Sequence, residues 1–343
     1  HTAYRRQRQM CIRDSSMSAL KSNISPQNKF AETLDKKLQS ENYIGTALIV
    51  HHNEIILQKG YGEADEKMHR DNDASTLFQL ASIEKSMTAV LIMQQIESGK
   101  LSFDTKLSDY YPNVVNANRI TISDLITMTS GLSQRIKPTT FESEEDNIDF
   151  SAVHAVKIGE PGTGIGWSYQ PVNYRLLAGI LMKLTNKTFA VLLNQVFNNT
   201  YHLNVRNYQD FINSKHRSIG YDNSYEKAYS ENQVAYNRET GTGNVAMTTG
   251  ELYHFYRLMI DKVIINHPSQ FWQTRTGETY AAGMYHEGKY LNAHGILPGF
   301  EPTVVISNNG QDAVILLSNQ YYKNHSFLSL IHISEPTRLR CIA

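Results

Sequence analysis

Cysteine is nearly absent: there are two in 343 residues, Cys11 and Cys341, one near each end. For the body of the chain this excludes a disulfide framework, a cysteine-based zinc site and a thiol nucleophile. Net charge is also absent, with 33 basic and 33 acidic side chains, so no nucleic acid or other polyanion is expected as a partner. No apolar run approaches the ~18 residues of a membrane span. The HExxH zinc pattern is missing, and His51-His52 reads as a turn carrying two solvated histidines rather than a metal site. The glycine-rich stretch Gly159 to Gly166 fails as a phosphate loop, because no lysine follows and the next helix starts only after Pro171. Neither a metal nor an organic cofactor is expected.

Both ends read as foreign to the fold. Residues 1–16 carry Arg5, Arg6, Arg8 and Arg13 without an apolar period, and residues 330–343 end in Thr337-Arg338-Leu339-Arg340-Cys341. Gln9 to Ser15 and His332 to Arg338 resemble translated sequencing-adapter read-through. They are set aside as scars, in preference to a basic arm for nucleic acid. The natural N-terminus, where a signal peptide or membrane anchor could stand, then lies outside this sequence. The working unit is 17–329.

What the chain does contain centres on Phe78 to Met93. An extended approach turns into a helix with Ser82 in its first turn, and Met87, Ala89 to Met93 and Ile96 make that helix apolar nearly all round. Its only polar chemistry is Ser82, Glu84 and Lys85 at the start. Residues i and i+3 share a helix face, so Lys85 stands one turn above Ser82. Backbone N–H groups at a helix start are free to bind an anion. A hydroxyl, an amine and free amides are the parts of an acyl-transfer site. The Ser-x-x-Lys spacing recurs at Ser18/Lys21 and Ser224/Lys227 without that context, and no function is expected there. A helix cap with a surface lysine is the bland alternative for Ser82 as well, and the motifs further along decide against it.

In chain order, Phe30, Leu34 and Leu38 predict a short amphipathic helix over 27–39. Gly45 to His51 and Glu54 to Tyr61 predict a hairpin around His52-Asn53. Residues 133–152 are polar and acidic and read as a solvated loop or cleft rim. Pro171 suits a helix first turn, with Tyr174, Leu177, Ile180, Leu181 and Leu184 as its buried face. Residues 201–238 read as loops. Thr248-Thr249-Gly250-Glu251 is a capping box. Tyr280 to Tyr290, Thr303 to Ile306 and Ala313 to Ser318 are β-rich, with a tight turn at Asn309-Gly310. The implied fold is α/β (α+β). An antiparallel sheet formed by both chain ends is flanked by helices (27–105 and 241–329), with a mainly helical domain inserted at 106–240.

Assembled in this order, the residues resemble the serine β-lactamase and penicillin-binding superfamily, in particular its class C-like hydrolases, D-amino-acid peptidases and esterases. The landmarks are Gly60-Tyr61-Gly62, Ser82/Lys85, Leu125 to Leu132, Pro161-Gly162-Thr163, Tyr169, Gly241 to Leu252 and Pro298-Gly299-Phe300. The resemblance implies Ser82 as nucleophile, Lys85 as its activating amine and Tyr169 as proton relay to the leaving group. As a general base, Lys85 must be uncharged. The oxyanion donors would be the N–H groups of Ser82 and Ile296. Two departures stand out. Tyr169-Gln170-Pro171 lacks the Asn or Ser side chain that ends the family's second motif. The third motif, usually K-T-G, H-S-G or H-x-G, reads Ala293-His294-Gly295 without a gap, leaving alanine at the cation position; a one-residue deletion would put His294 there instead. Either way the resemblance implies that His294 sits beside the nucleophile and, with Gly295 and Ile296, belongs to the substrate-binding and oxyanion strand; a bland strand histidine is the rival for His294.

The resemblance therefore implies a serine hydrolase acting through an acyl-enzyme on Ser82. Its substrate would be small or cell-wall-derived, a D-alanyl ester or peptide, handled outside the bacterial cytoplasm. A β-lactamase is the rival enzyme. A penicillin-binding-like receptor or envelope scaffold with little turnover is the rival from another class.

Overall fold

The structure is a computed structural model that describes residues 20–136, 142–162, 166–223, 225–229, 238–275 and 277–321. Both presumed scars, and Ser18 and Ser224, lie outside these residues. Helix α1 (Lys29–Ser40) starts where Asn28 accepts the Ala31 N–H at 2.9 Å, the side-chain capping that helix starts require. Strands β1 (Gly45–His51) and β2 (Glu54–Tyr61) form the expected hairpin. Near the other end, β6 (Tyr280–Ala281), β7 (Met284–Glu287), β8 (Tyr290–His294), β9 (Glu301–Ser307) and β10 (Ala313–Ser318) complete a seven-stranded antiparallel sheet. Its order is β6-β7-β8-β9-β10-β1-β2, so the two chain ends meet where β10 pairs with β1.

Register decides what each face carries, because side chains alternate along a strand. The row Leu48, Ile315, Val304, Ala293 faces the larger core, while the neighbouring row Ala47, Leu316, Thr303, His294 faces the other side. That second side is covered by Ala31, Leu34 and Leu38 of α1. In the larger core lies α2 (Glu84–Glu97), every residue of which from Glu84 to Met93 is buried. Beside it run α3 (Val172–Thr185) and α4 (Thr249–Ile260), the latter opened by the Thr248/Glu251 capping box. A small second sheet, β3 (Phe78–Gln79), β4 (Arg206–Asn207) and β5 (Val245–Met247), ties the middle of the chain to the approach to Ser82.

Two expectations are corrected. Residues 133–152 are not simply a solvated loop: Leu132–Gln134 is a strand and Glu144–Val153 a helix. Ser143 accepts the Asp146 N–H at its start, and the Glu144 carboxylate accepts the Phe189 and Ala190 N–H groups. An acidic helix whose buried residues are Glu144, Asn147, Ile148 and Ser151 carries almost no apolar period, so periodicity could not reveal it. Within 201–238, Tyr208–Ile212 is a helix whose Tyr208 and Phe211 are buried.

Candidate active site

The chain enters the site along β3, passes Leu80 and forms a tight 3-10 turn, Ala81–Ile83, that runs directly into α2. Ala81 adopts φ +47°, a left-handed backbone that costs a residue with a Cβ roughly 1–2 kcal/mol. The surroundings hold it there. A Cβ on Gly243 would stand 3.1 Å from the Ala81 carbonyl carbon, and one on Gly295 would stand 2.7 Å from the Ala81 Cβ and 2.9 Å from the Ser82 nitrogen. Two glycines let two backbone segments close on the turn. The Leu80 N–H also donates to the Val245 carbonyl at 2.8 Å. Ser82 is thereby held at the head of α2.

Lys85 lies one turn along α2 and is buried. Its Nζ donates to Ser82 Oγ at 2.9 Å and to the Thr242 carbonyl at 3.0 Å. Tyr169 stands beside it, its ring centroid 5.3 Å from the Lys85 Nζ, within reach of a cation–π contact. The Tyr169 ring is set edge-on against Tyr280 at 5.6 Å. The three residues carried over for acyl transfer are thus gathered at one point.

A fourth group, not assigned a role from sequence, is Glu84, which lies between Ser82 and Lys85 in the chain. Glu84 is fully buried, and its Oε2 accepts the Asn244 N–H at 2.5 Å. Burial pushes its carboxyl up to about 8, against the opposing pull of that hydrogen bond and of Lys85. Thr88 Oγ1 donates to the Gly241 carbonyl at 2.8 Å. Glu84, Lys85 and Thr88 together pin the backbone of 241–244, the segment that supplies the lysine's carbonyl partner. The signal available in sequence was a carboxyl in an otherwise apolar helix, but its partner lies 160 positions away.

On the facing side, Gln170 is held between Ser133, which donates to its Oε1 at 3.0 Å, and Ser168 Oγ, to which it donates at 3.1 Å. Pro171 follows as the residue before α3 and offers no side-chain hydrogen bond. Asn173 does not replace it, since its amide is buried against Ser130, Met128 and the Gln170 carbonyl. On the sheet, Gly295 packs on Ser82 and donates its own N–H to the Pro302 carbonyl at 3.0 Å. Ile296 is half exposed, and among the described residues its N–H and that of Ser82 meet no backbone acceptor. His294 turns the other way. It lies in register with Thr303, and its Nε2 is 3.1 Å from Oε1 of the buried Glu301. Ala293, one residue back, faces the core shared with α2.

A hydroxyl bonded to a buried amine, two free N–H groups and an adjacent phenol can form and break an acyl ester. Comparison with known proteins shows the family to which these residues belong. The family model described as Beta-lactamase matches residues 30–332. PbpX of Bacillus subtilis (strain 168), named for penicillin binding, is 29% identical over 84% of this chain and 75% of its own length. The teichoic acid D-alanine hydrolase of Staphylococcus aureus (strain NCTC 8325 / PS 47) is 24% identical over 78% of this chain and 68% of its own. The crystal structure of FmtA from Staphylococcus aureus superposes with a TM-score of 0.80 at 20% identity, covering 91% of this chain and 90% of that one.

Proposed function

Since the chain belongs to the beta-lactamase family of serine hydrolases, we propose that it is an acyl-enzyme hydrolase working through Ser82 on D-alanyl esters of cell-wall-related substrates. The observation that carries this reading is the 2.9 Å contact between the Nζ of buried Lys85 and the Oγ of partly exposed Ser82, with Nζ also donating to the Thr242 carbonyl. In its amine form Lys85 takes the Ser82 proton as Oγ attacks the ester carbonyl. The N–H groups of Ser82 and Ile296 receive the oxyanion. Tyr169 passes a proton to the departing oxygen. Water then attacks the acyl-serine by the reverse route and releases the acid. His294, facing Glu301, has no part in these steps; Ala293 occupies the cation position of the third motif, as in the gapless reading.

The ester preference rests on two side chains that the proposed site lacks. Pro171 offers no hydrogen bond to a substrate amide, and Ala293 offers no charge to a substrate carboxylate. An amide needs its poor leaving nitrogen anchored and protonated, whereas an alkoxide leaves with less help. The teichoic acid D-alanine hydrolase similarity supports a D-alanyl acyl group, and with it a cell-envelope location. The test is active-site labelling with a fluorophosphonate and with a reactive β-lactam, read by mass spectrometry. A single adduct on Ser82 is expected, absent from Ser82→Ala. Labelling that persists in Ser82→Ala, or that maps to Ser18 or Ser224, would overturn the assignment.

A further inference from the structure

The turn joining β1 to β2 and the turn joining β9 to β10 lie side by side, because β1 pairs with β10 up to Val50↔Ala313. This brings Asp312 onto the hairpin tip that carries His51 and His52. The His51 Nδ1 is 2.8 Å from Asp312 Oδ1, and the His52 N–H donates to the same oxygen at 3.2 Å. The Asn53 N–H donates to the Gln311 carbonyl at 2.8 Å, so backbone stitches the two turns together. Neighbouring strand residues ordinarily point to opposite faces. Here His52 adopts φ +51° and Asn53 φ +68°, and the His52 ring folds back to within 3.9 Å of the His51 ring. A surface hydrogen bond between His51 and Asp312 accounts for one of these contacts. It does not account for the second imidazole.

We propose that His51, His52 and Asp312 form a binding site for a borderline divalent cation of the zinc type. One ligand atom from each residue lies within 4.8 Å of the other two, so modest side-chain rotation closes the set around an ion. Two imidazoles and a carboxylate suit Zn²⁺, Ni²⁺ or Cu²⁺ rather than the all-oxygen shells of Mg²⁺ and Ca²⁺. The partly exposed position leaves the remaining coordination places to water. The nearby cation Arg257 is paired with Asp261 at 3.0 Å and donates to Asn53 Oδ1 and the Gly310 carbonyl, so its charge is answered by Asp261 rather than by Asp312. The site lies at the far end of β1 from Gly45, whose strand row leads across to Glu301 beside His294. At about 3.3 Å per residue that is roughly 20 Å from the nucleophile's end of the sheet. Such an ion clips two hairpins together and takes no part in acyl transfer.

Zinc titration by calorimetry tests this on the metal-stripped full chain with Cys11 and Cys341 alkylated. Wild type is expected to bind one zinc per chain saturably, and magnesium not at all. His52→Asn keeps a residue that tolerates the left-handed backbone, and Asp312→Asn keeps the side-chain shape, so both should fold. Each is expected to weaken zinc roughly tenfold or more, the loss seen even for groups that only orient a ligand. Zinc should also raise Tm in wild type and not in the variants. No saturable binding by wild type, a magnesium response equal to zinc's, or unchanged affinity in either variant overturns the three-ligand site.

Discussion

The two sides of the candidate active site are built on opposite principles. On the α2 side, Glu84, Lys85 and Thr88 are all buried and each holds a backbone group of 241–244. On the substrate side, the positions to which the proposed function assigns substrate grip are Pro171 and Ala293, which offer no polar side chain. The nucleophile's support is over-determined, while the substrate's support is thin. On the function proposed here, making an acyl-enzyme and anchoring an amide are separate tasks, assigned to separate sets of residues.

The largest effect should come from breaking the α2 side. Ser82→Ala and Lys85→Ala are each expected to lower kcat for a p-nitrophenyl ester by on the order of 10⁴ or more, and the double variant little further, because such groups act as a unit. Steady-state kinetics of the three variants decide this. If Lys85→Ala keeps most of its activity, the two sides do not differ as argued and the proton acceptor is another group.

A smaller effect tests the cost of that side. The Glu84 carboxyl is held near 8 in the fold against 4.5 for a free carboxyl, so between those values the native state binds more protons than the unfolded chain. Stability should therefore be full below about pH 4.5 and fall as pH rises towards 8. At 1.36 kcal/mol per unit, the whole penalty is on the order of a few kcal/mol. Glu84→Gln, which cannot ionise, should gain on wild type steadily across this window in denaturant melts. A difference that stays flat from pH 5 to pH 9 would refute the assignment of the burden to Glu84.

The smallest effect sharpens the substrate side. Losing one oriented polar contact costs about 1–3 kcal/mol, up to about a hundredfold in rate. Esters should accordingly outpace a diacetylated D-Ala-D-Ala tripeptide and nitrocefin in kcat/KM. Pro171→Asn should raise amide turnover with little change for esters. Should the tripeptide or nitrocefin outrun every ester, the thin substrate side is not what sets preference.

Much of this was legible in the order of residues. The buried helix after Ser82, the hairpin at His52-Asn53, the Thr248 capping box and the one-turn spacing of Ser82 and Lys85 all follow from local period and local hydrogen bonding. Such signals act over a few residues and survive in any fold that uses the segment. The helix Glu144–Val153 escaped because its buried side is largely polar and makes sense only against Phe189 and Ala190.

Tertiary structure alone decided the rest, because each case depends on groups far apart in the chain. The strained turn at Ala81 is held by Gly243 and Gly295, which no local pattern links to it. Asp312 reaches His51 across 261 positions through the β1–β10 pairing. Which face of the sheet His294 takes was not legible in sequence. Strand register turns it toward Glu301 because successive side chains alternate, and a shift of one residue would have put it on the other face. Periodicity shows which side chains share a face; only the packed sheet determines which face meets the nucleophile.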